Sequence, residues 1–162
     1  MFSIAWSHRS NSCLSLDMHE LTGDLWARHA AGDVVAITTG GAVDKKGSCL
    51  MPRGCAAQAR KRFSGIEKVL GEMVRKHGVH VYDLGNRIVS FPVENSPFEV
   101  PSLHLIEQSC RELVSLVDRQ GWERVIVPRP GCGGGGLSWQ EVRPILERHF
   151  DARFHIISQE IQ

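Results

Sequence analysis

The chain has 162 residues with a net charge of +1 and 23% charged residues, enough length for one domain with its own core. That charge excludes the global basic field on which non-specific nucleic-acid binding depends, and no apolar run approaches membrane-spanning length. Five cysteines, odd in number and without a C-x-x-C pair, argue for a reducing cytoplasm over a disulfide framework.

Residues 1–18, serine-rich with scattered apolar positions and no secretory pattern, read as an extension before a domain spanning 19–162. Two β-like runs follow at 21–25 and 33–38, the second nearly all apolar and therefore central. Gly40-Gly41 and Asp44-Lys45-Lys46-Gly47 mark a turn or small hairpin. Residues 52–63 fit a helix with Pro52 in its first turn. Ser64-x-x-Glu67 reads as a capping box; Ile66, Val69, Leu70, Met73 and Val74 follow at helical spacing, and Gly78 stops the helix. Runs 79–84 and 87–93 read as a strand pair joined through Gly85-Asn86. After a loop holding Pro97 and Pro101, Leu103, Ile106, Cys110, Leu113, Val114 and Val117 mark an amphipathic helix closed by Gly121. A strand at 123–128, a glycine-rich loop, a helix opened by Ser138-x-x-Glu141 and a last strand at 153–158 complete the chain. The alternation predicts a three-layer α/β/α sandwich with a mixed central sheet.

The chemistry concentrates in "VPRPGCGGGGLSWQEV", residues 127–142. Ligands of α/β domains bind beyond the carboxyl ends of strands. Glycines 131 and 133–136, before a helix start, can turn N–H groups toward one anion such as a phosphate. A plain strand-to-helix turn is the competing reading, but two glycines suffice for that. The loop lacks the Lys-Ser/Thr ending of a triphosphate-hydrolysing loop. Gly131, Gly133 and Gly136 match G-x-G-x-x-G, and Glu160 imitates the ribose-binding acid of an NAD-type redox domain, but that fingerprint belongs in a first βαβ unit. His77-x-x-His80 straddles a helix stop and makes no metal set, so neither metal nor cofactor is expected. The Arg53, Arg60, Lys61, Arg62 cluster reads as a solvated helix face.

Three segments in order, "ELTGDLW", "LMPRGCAAQARKRF" and "VIVPRPGCGGGGLSWQEV", resemble a macrodomain, the ADP-ribose-binding fold. The likeness is to the branch of terminal ADP-ribose protein glycohydrolases and of antitoxins that reverse DNA ADP-ribosylation. It implies that Asp24 accepts from the adenine amino group, with the Leu25 N–H beside it. It also implies that Thr39, Arg53, Gly54, Cys55 and Ala56 line the diphosphate and distal ribose. Gly131, Cys132, Gly133, Gly134, Gly135 and Gly136 would wrap the diphosphate from the other side. Trp26, Phe154 and Ile157 are candidates for an adenine wall. The implied partner is ADP-ribose, free or attached to protein or nucleic acid, with no membrane.

Catalysis does not carry over. The branch's lysine would fall among Pro92, Val93, Glu94 and Asn95, and its aspartate at Gly135; another branch's asparagine is missing from Thr38-Thr39-Gly40-Gly41. Asp44, Lys45 and Glu94 remain as candidate bases or charge stabilisers, against solvated loop charges. Cys132 reads as a small spacer or as a thiolate near a helix terminus. Reader, hydrolase and redox domain stay open at this point.

Overall fold

The computed structural model describes residues 16–159, so most of the expected extension and Glu160 lie outside the described residues. The strands are β1 (His19–Thr22), β2 (Val34–Thr39), β3 (Ile88–Pro92), β4 (Val125–Pro128) and β5 (Phe154–Ser158). The helices are α1 (Leu25–Ala30), α2 (Gly54–Arg62), α3 (Ile66–His77), α4 (Leu103–Gln120) and α5 (Trp139–His149). The strands lie in the order β1-β5-β4-β2-β3.

Side chains alternate across the sheet, and both faces are covered. Val34, Ala36, Val89, Phe91, Val125, Val127, Phe154 and Ile156 join the apolar residues of α4 and α5 in one core. Val35, Ile37, Ile88, Ile126 and Ile157 join those of α1, α2 and α3 in the other. Burial on both faces is why the central strands are apolar without alternation. The three layers are as expected.

The sheet itself corrects the expectation of a mixed one, because every strand pairing is parallel. The antiparallel partner expected at 79–84 is not a strand; Asp83 and Val89 make a single antiparallel bridge. Its N–H groups go elsewhere: Val81 donates to Glu112 Oε1 at 3.0 Å and Tyr82 to Ser90 Oγ at 2.8 Å. Asn86 and Arg87, both at positive φ (54° and 60°), coil the connection so that a ladder cannot extend.

Smaller departures follow local chemistry. The strand expected at 21–25 stops at Thr22, and Asp24 instead caps the unforeseen helix α1, accepting from Trp26 N at 3.2 Å. Pro52 lies outside α2, whose N-cap is Arg53. The Ser64 box does not form: α3 begins after Gly65, at φ 87°, without a side-chain cap. The Ser138 box does form, with both reciprocal bonds.

Candidate functional site

An all-parallel sheet puts every carboxyl end on one edge. From β2 the chain moves outward to β3, then returns to place β4 on the other side of β2. At that reversal the strand ends part, which is where α/β sheets hold ligands. A cleft of about 600 Å³ opens there. Its floor is Thr38, Thr39 and Gly40 from the end of β2 and Pro128 and Arg129 from the end of β4.

Two stretches of backbone wall the cleft. One is the start of α2, with Arg53, Gly54, Cys55 and Ala56. The other is the loop after β4, with Gly131, Cys132, Gly133, Gly134 and Gly135. They approach each other closely: a Cβ on Gly134 would sit 3.7 Å from Arg53 Cδ. The glycine loop is braced from within by Leu137 N donating to Gly131 O at 2.9 Å and Cys132 N to Arg129 O at 3.3 Å. Gly131 needs its positive φ of 73°, and a Cβ on Gly135 would strike Pro101 Cγ at 2.6 Å and Gly131 O at 2.7 Å.

The N–H groups of Gly133, Gly134 and Gly135 donate to no acceptor among the described residues. Nor do those opening α2, which lacks a side-chain cap. The cleft therefore has two facing sets of unspent donors, one at the positive end of a helix dipole. By contrast, the start of α5 supplies less than the sequence suggested, since Ser138 Oγ takes the Glu141 N–H.

Of the residues expected at the site, Leu25, Thr39, Arg53, Gly54, Cys55, Ala56, Gly131, Cys132, Gly133, Gly134 and Gly135 line the cleft. Asp24 and Gly136 do not form its wall; Asp24 lies beside it as the α1 cap, and Gly136 turns the loop toward α5 at φ 85°. Among the adenine-wall candidates, Ile157 lines the cleft. Trp26 is buried, with Nε1 donating to Gln58 Oε1 at 2.8 Å, and Phe154 stacks on Phe150 in the core.

Four cleft residues escaped the sequence reading: Gln58, Arg129, Trp139 and Ser158. The Arg129 guanidinium lies 4.7 Å from the Trp139 ring centre, and Trp139 Nε1 donates to Glu20 Oε1 at 3.1 Å. The Pro-Arg-Pro step and the tryptophan opening the next helix were the available signals. Gln58 gave none, because only the fold turns it toward the cleft.

The candidate acids and thiols separate clearly. Asp44 Oδ1 accepts from Lys46 N at 2.9 Å and Ser48 N at 3.0 Å, a turn-forming role. Lys45 is exposed, and neither Asp44 nor Lys45 lines the cleft. Glu94 does, with a side chain only 13% exposed. Burial pushes its carboxyl above the usual range; Arg53 opposes that and Glu99 adds to it. Burial also holds the Cys132 thiol up, against the pull of Arg129, so the spacer reading suits it better than the thiolate. Cys55 Sγ lies 3.3 Å from Thr38 Oγ1 and packs the start of α2 onto β2. The Thr39 hydroxyl is buried and has no hydrogen-bond partner among the described residues. Among those residues no cluster of His, Cys, Asp or Glu is arranged to hold a metal.

No protein-family model matches the chain. Known structures do. The macrodomain of Thermus aquaticus DarG superposes with a TM-score of 0.70 at 20% identity, over 89% of this chain and 98% of that one. The macrodomain of Mycobacterium tuberculosis DarG gives 0.70 at 20% identity, over 88% and 98%. The chain thus has the macrodomain fold. By sequence it is 26% identical over 105 residues to the ADP-ribose glycohydrolase OARD1 of Bos taurus, covering 64% of this chain and 69% of that protein. It is 30% identical over 91 residues to a DNA ADP-ribosyl transferase–DNA ADP-ribosyl glycohydrolase fusion protein of Thermosipho africanus, covering 55% of this chain but 22% of the fusion. These likenesses place it near the branch that holds DarG and the terminal ADP-ribose glycohydrolase.

Proposed function

We propose that the protein binds ADP-ribose, free or attached to protein or nucleic acid, with the diphosphate held between the start of α2 and the glycine loop. The observation that carries this is the pair of facing, unspent N–H sets in one cleft. A diphosphate has oxygens for both at once, and its negative charge suits the helix dipole. The nucleoside end then lies toward Leu25, Ile157 and Ser158, beside the Asp24 carboxylate. The distal ribose lies toward Thr39, Gly40 and Glu94. Support comes from the Thermosipho africanus DarTG structure described as a complex with ADP-ribose, which superposes at a TM-score of 0.70 and 18% identity. A reducing cytoplasm is the compartment proposed, and the four free cysteines of the described residues suit it.

The NAD-type redox reading finds no comparable support. The G-x-G-x-x-G spacing falls after the fourth of the five strands, and no first βαβ unit carries it. Calorimetry tests the choice: ADP-ribose should bind, and AMP, with one phosphate and no distal ribose, more weakly. Equal affinity for the two would remove the bridging role of the glycine loop. Tighter binding of NAD than of ADP-ribose would restore the redox reading.

A further inference from the structure

We propose that the protein also hydrolyses the bond between the distal ribose of an ADP-ribosyl group and the group attached to it, with Glu94 as the proton-accepting residue. The inference rests on the ADP-ribose reading and adds an activity to it.

Glu94 is the one carboxylate among the described residues that line the cleft, and no lysine or histidine lines it. It follows β3 directly, and Val93 N donates to Thr39 O at 2.9 Å, so the ends of β2 and β3 are tied side by side. Gly40 and Gly41 let the chain carrying Glu94 come close: a Cβ on Gly40 would lie 3.4 Å from Glu94 Cγ, and one on Gly41 3.2 Å from Asn95 O. Gly41 N donates to Asn95 O at 3.2 Å, which fixes that approach. The carboxylate is therefore held in place, yet its own oxygens accept no hydrogen bond among the described residues. Its nearest cation, Arg53 Nη2, is 3.9 Å away and already donates to Pro97 O at 3.2 Å. A half-exposed partner at that distance is a weak reason to bury a charge.

Beside it the buried, unpartnered Thr39 hydroxyl lines the same wall. An orphan hydroxyl and an orphan carboxylate at adjacent strand ends are a donor and an acceptor for a sugar and a water. In the proposed step a water oxygen bonds to the anomeric carbon of the distal ribose as its proton passes to Glu94. The bond to the departing group breaks, and that group leaves with the electron pair. It takes up a proton returned by Glu94 or supplied by solvent. The products are free ADP-ribose and the unmodified acceptor, and water is the only co-reactant. Thr39 acts as a positioning residue. The charged groups facing Glu94 are Arg53, preceding α2, and Glu99, in its own loop; the β2 side presents only Thr39 and Gly40.

The test uses the full chain with two probes, a peptide bearing an ester-linked ADP-ribosyl glutamate and an ADP-ribosylated single-stranded oligonucleotide, and measures ADP-ribose released. Wild type should release it from at least one probe. Glu94→Gln should lower kcat by about 100-fold or more while KM and ADP-ribose affinity stay within about threefold. Glu94→Asp should recover part of the rate. The wild-type rate should fall on the acid side through an apparent pKa above the ordinary carboxylate range, a limb absent from Glu94→Gln. A merely structural role would move melting and not that limb. No release from either probe by a protein that binds ADP-ribose overturns the inference and leaves the binding reading standing. Full activity in Glu94→Gln also overturns it. Failure to bind ADP-ribose removes both readings.

Discussion

Asp24 shows how one residue can serve two ends. Its Oδ1 caps α1, while the resemblance gives the same carboxylate the adenine amino group. The two roles separate by substitution. Asp24→Ala loses the cap and should cost about 1 kcal/mol of stability. Asp24→Asn keeps an oxygen for the cap and should melt near wild type. Both should bind ADP-ribose more weakly, by about 1.5–3 kcal/mol if a charge-assisted hydrogen bond is lost. Thermal melting and calorimetry on the same samples check this; an Asp24→Asn titration matching wild type would mean adenine is read elsewhere. A second residue-scale expectation concerns Glu94. Burial raises its folded-state pKa, so ionising it opposes folding, and that penalty grows as pH rises through the folded value. Glu94→Gln should therefore melt no lower than wild type at neutral pH, with any gain disappearing below the ordinary carboxylate pKa. A markedly lower melting temperature at pH 7 would show that the Arg53 contact matters more than the burial.

At the scale of elements, the glycine loop divides into structural and ligand-facing positions. Gly134 has no positive φ and only ordinary contact distances around a would-be Cβ. Gly134→Val should fold normally, while its methyls enter the space assigned to the diphosphate. ADP-ribose affinity should fall about tenfold or more, equivalent to about 1.4 kcal/mol. Gly135→Ala is the contrasting case, since its Cβ meets Pro101 and the Gly131 carbonyl. It should lower melting as well as binding. If Gly134→Val binds and melts normally, the loop is not the phosphate cradle. The position of this loop was legible in the sequence, because glycine density and a strand-to-helix context are local signals. The division of labour inside it was not. Which glycine touches Pro101 depends on a segment some thirty residues upstream. The capping boxes make the same point: Ser138-x-x-Glu141 formed and Ser64-x-x-Glu67 did not. A motif of four residues is overruled when the incoming chain needs Gly65 in a left-handed turn.

At the scale of the molecule, the sheet fixes the cleft. Each strand end contributes because all five run in one direction. Phe154 on β5 is fully buried and stacks on Phe150 at a centroid distance of 4.2 Å, joining the sheet to the end of α5. Phe154→Ala should cost about 3–5 kcal/mol, read by chemical denaturation. A loss below about 1 kcal/mol would mean that this core collapses around the vacancy. Surviving protein should still bind ADP-ribose, since Phe154 lies away from the cleft wall.

The sequence alone determined what local chemistry determines. Apolar runs set the central strands, helical spacing set α3 and α4, and glycine density marked the loop after β4. The ordered likeness of three segments implied the macrodomain fold. Only the tertiary structure decided the direction of the sheet, because 79–84 has a strand's composition while its N–H groups are taken by Glu112 and Ser90. It also decided which charged loop residue enters the cleft. Asp44, Lys45 and Glu94 are equally polar as text. Only Glu94 is carried inward, by glycines at the end of a neighbouring strand more than fifty residues earlier. Burial and proximity between distant segments are properties of the packed sheet, and no short window of sequence contains them.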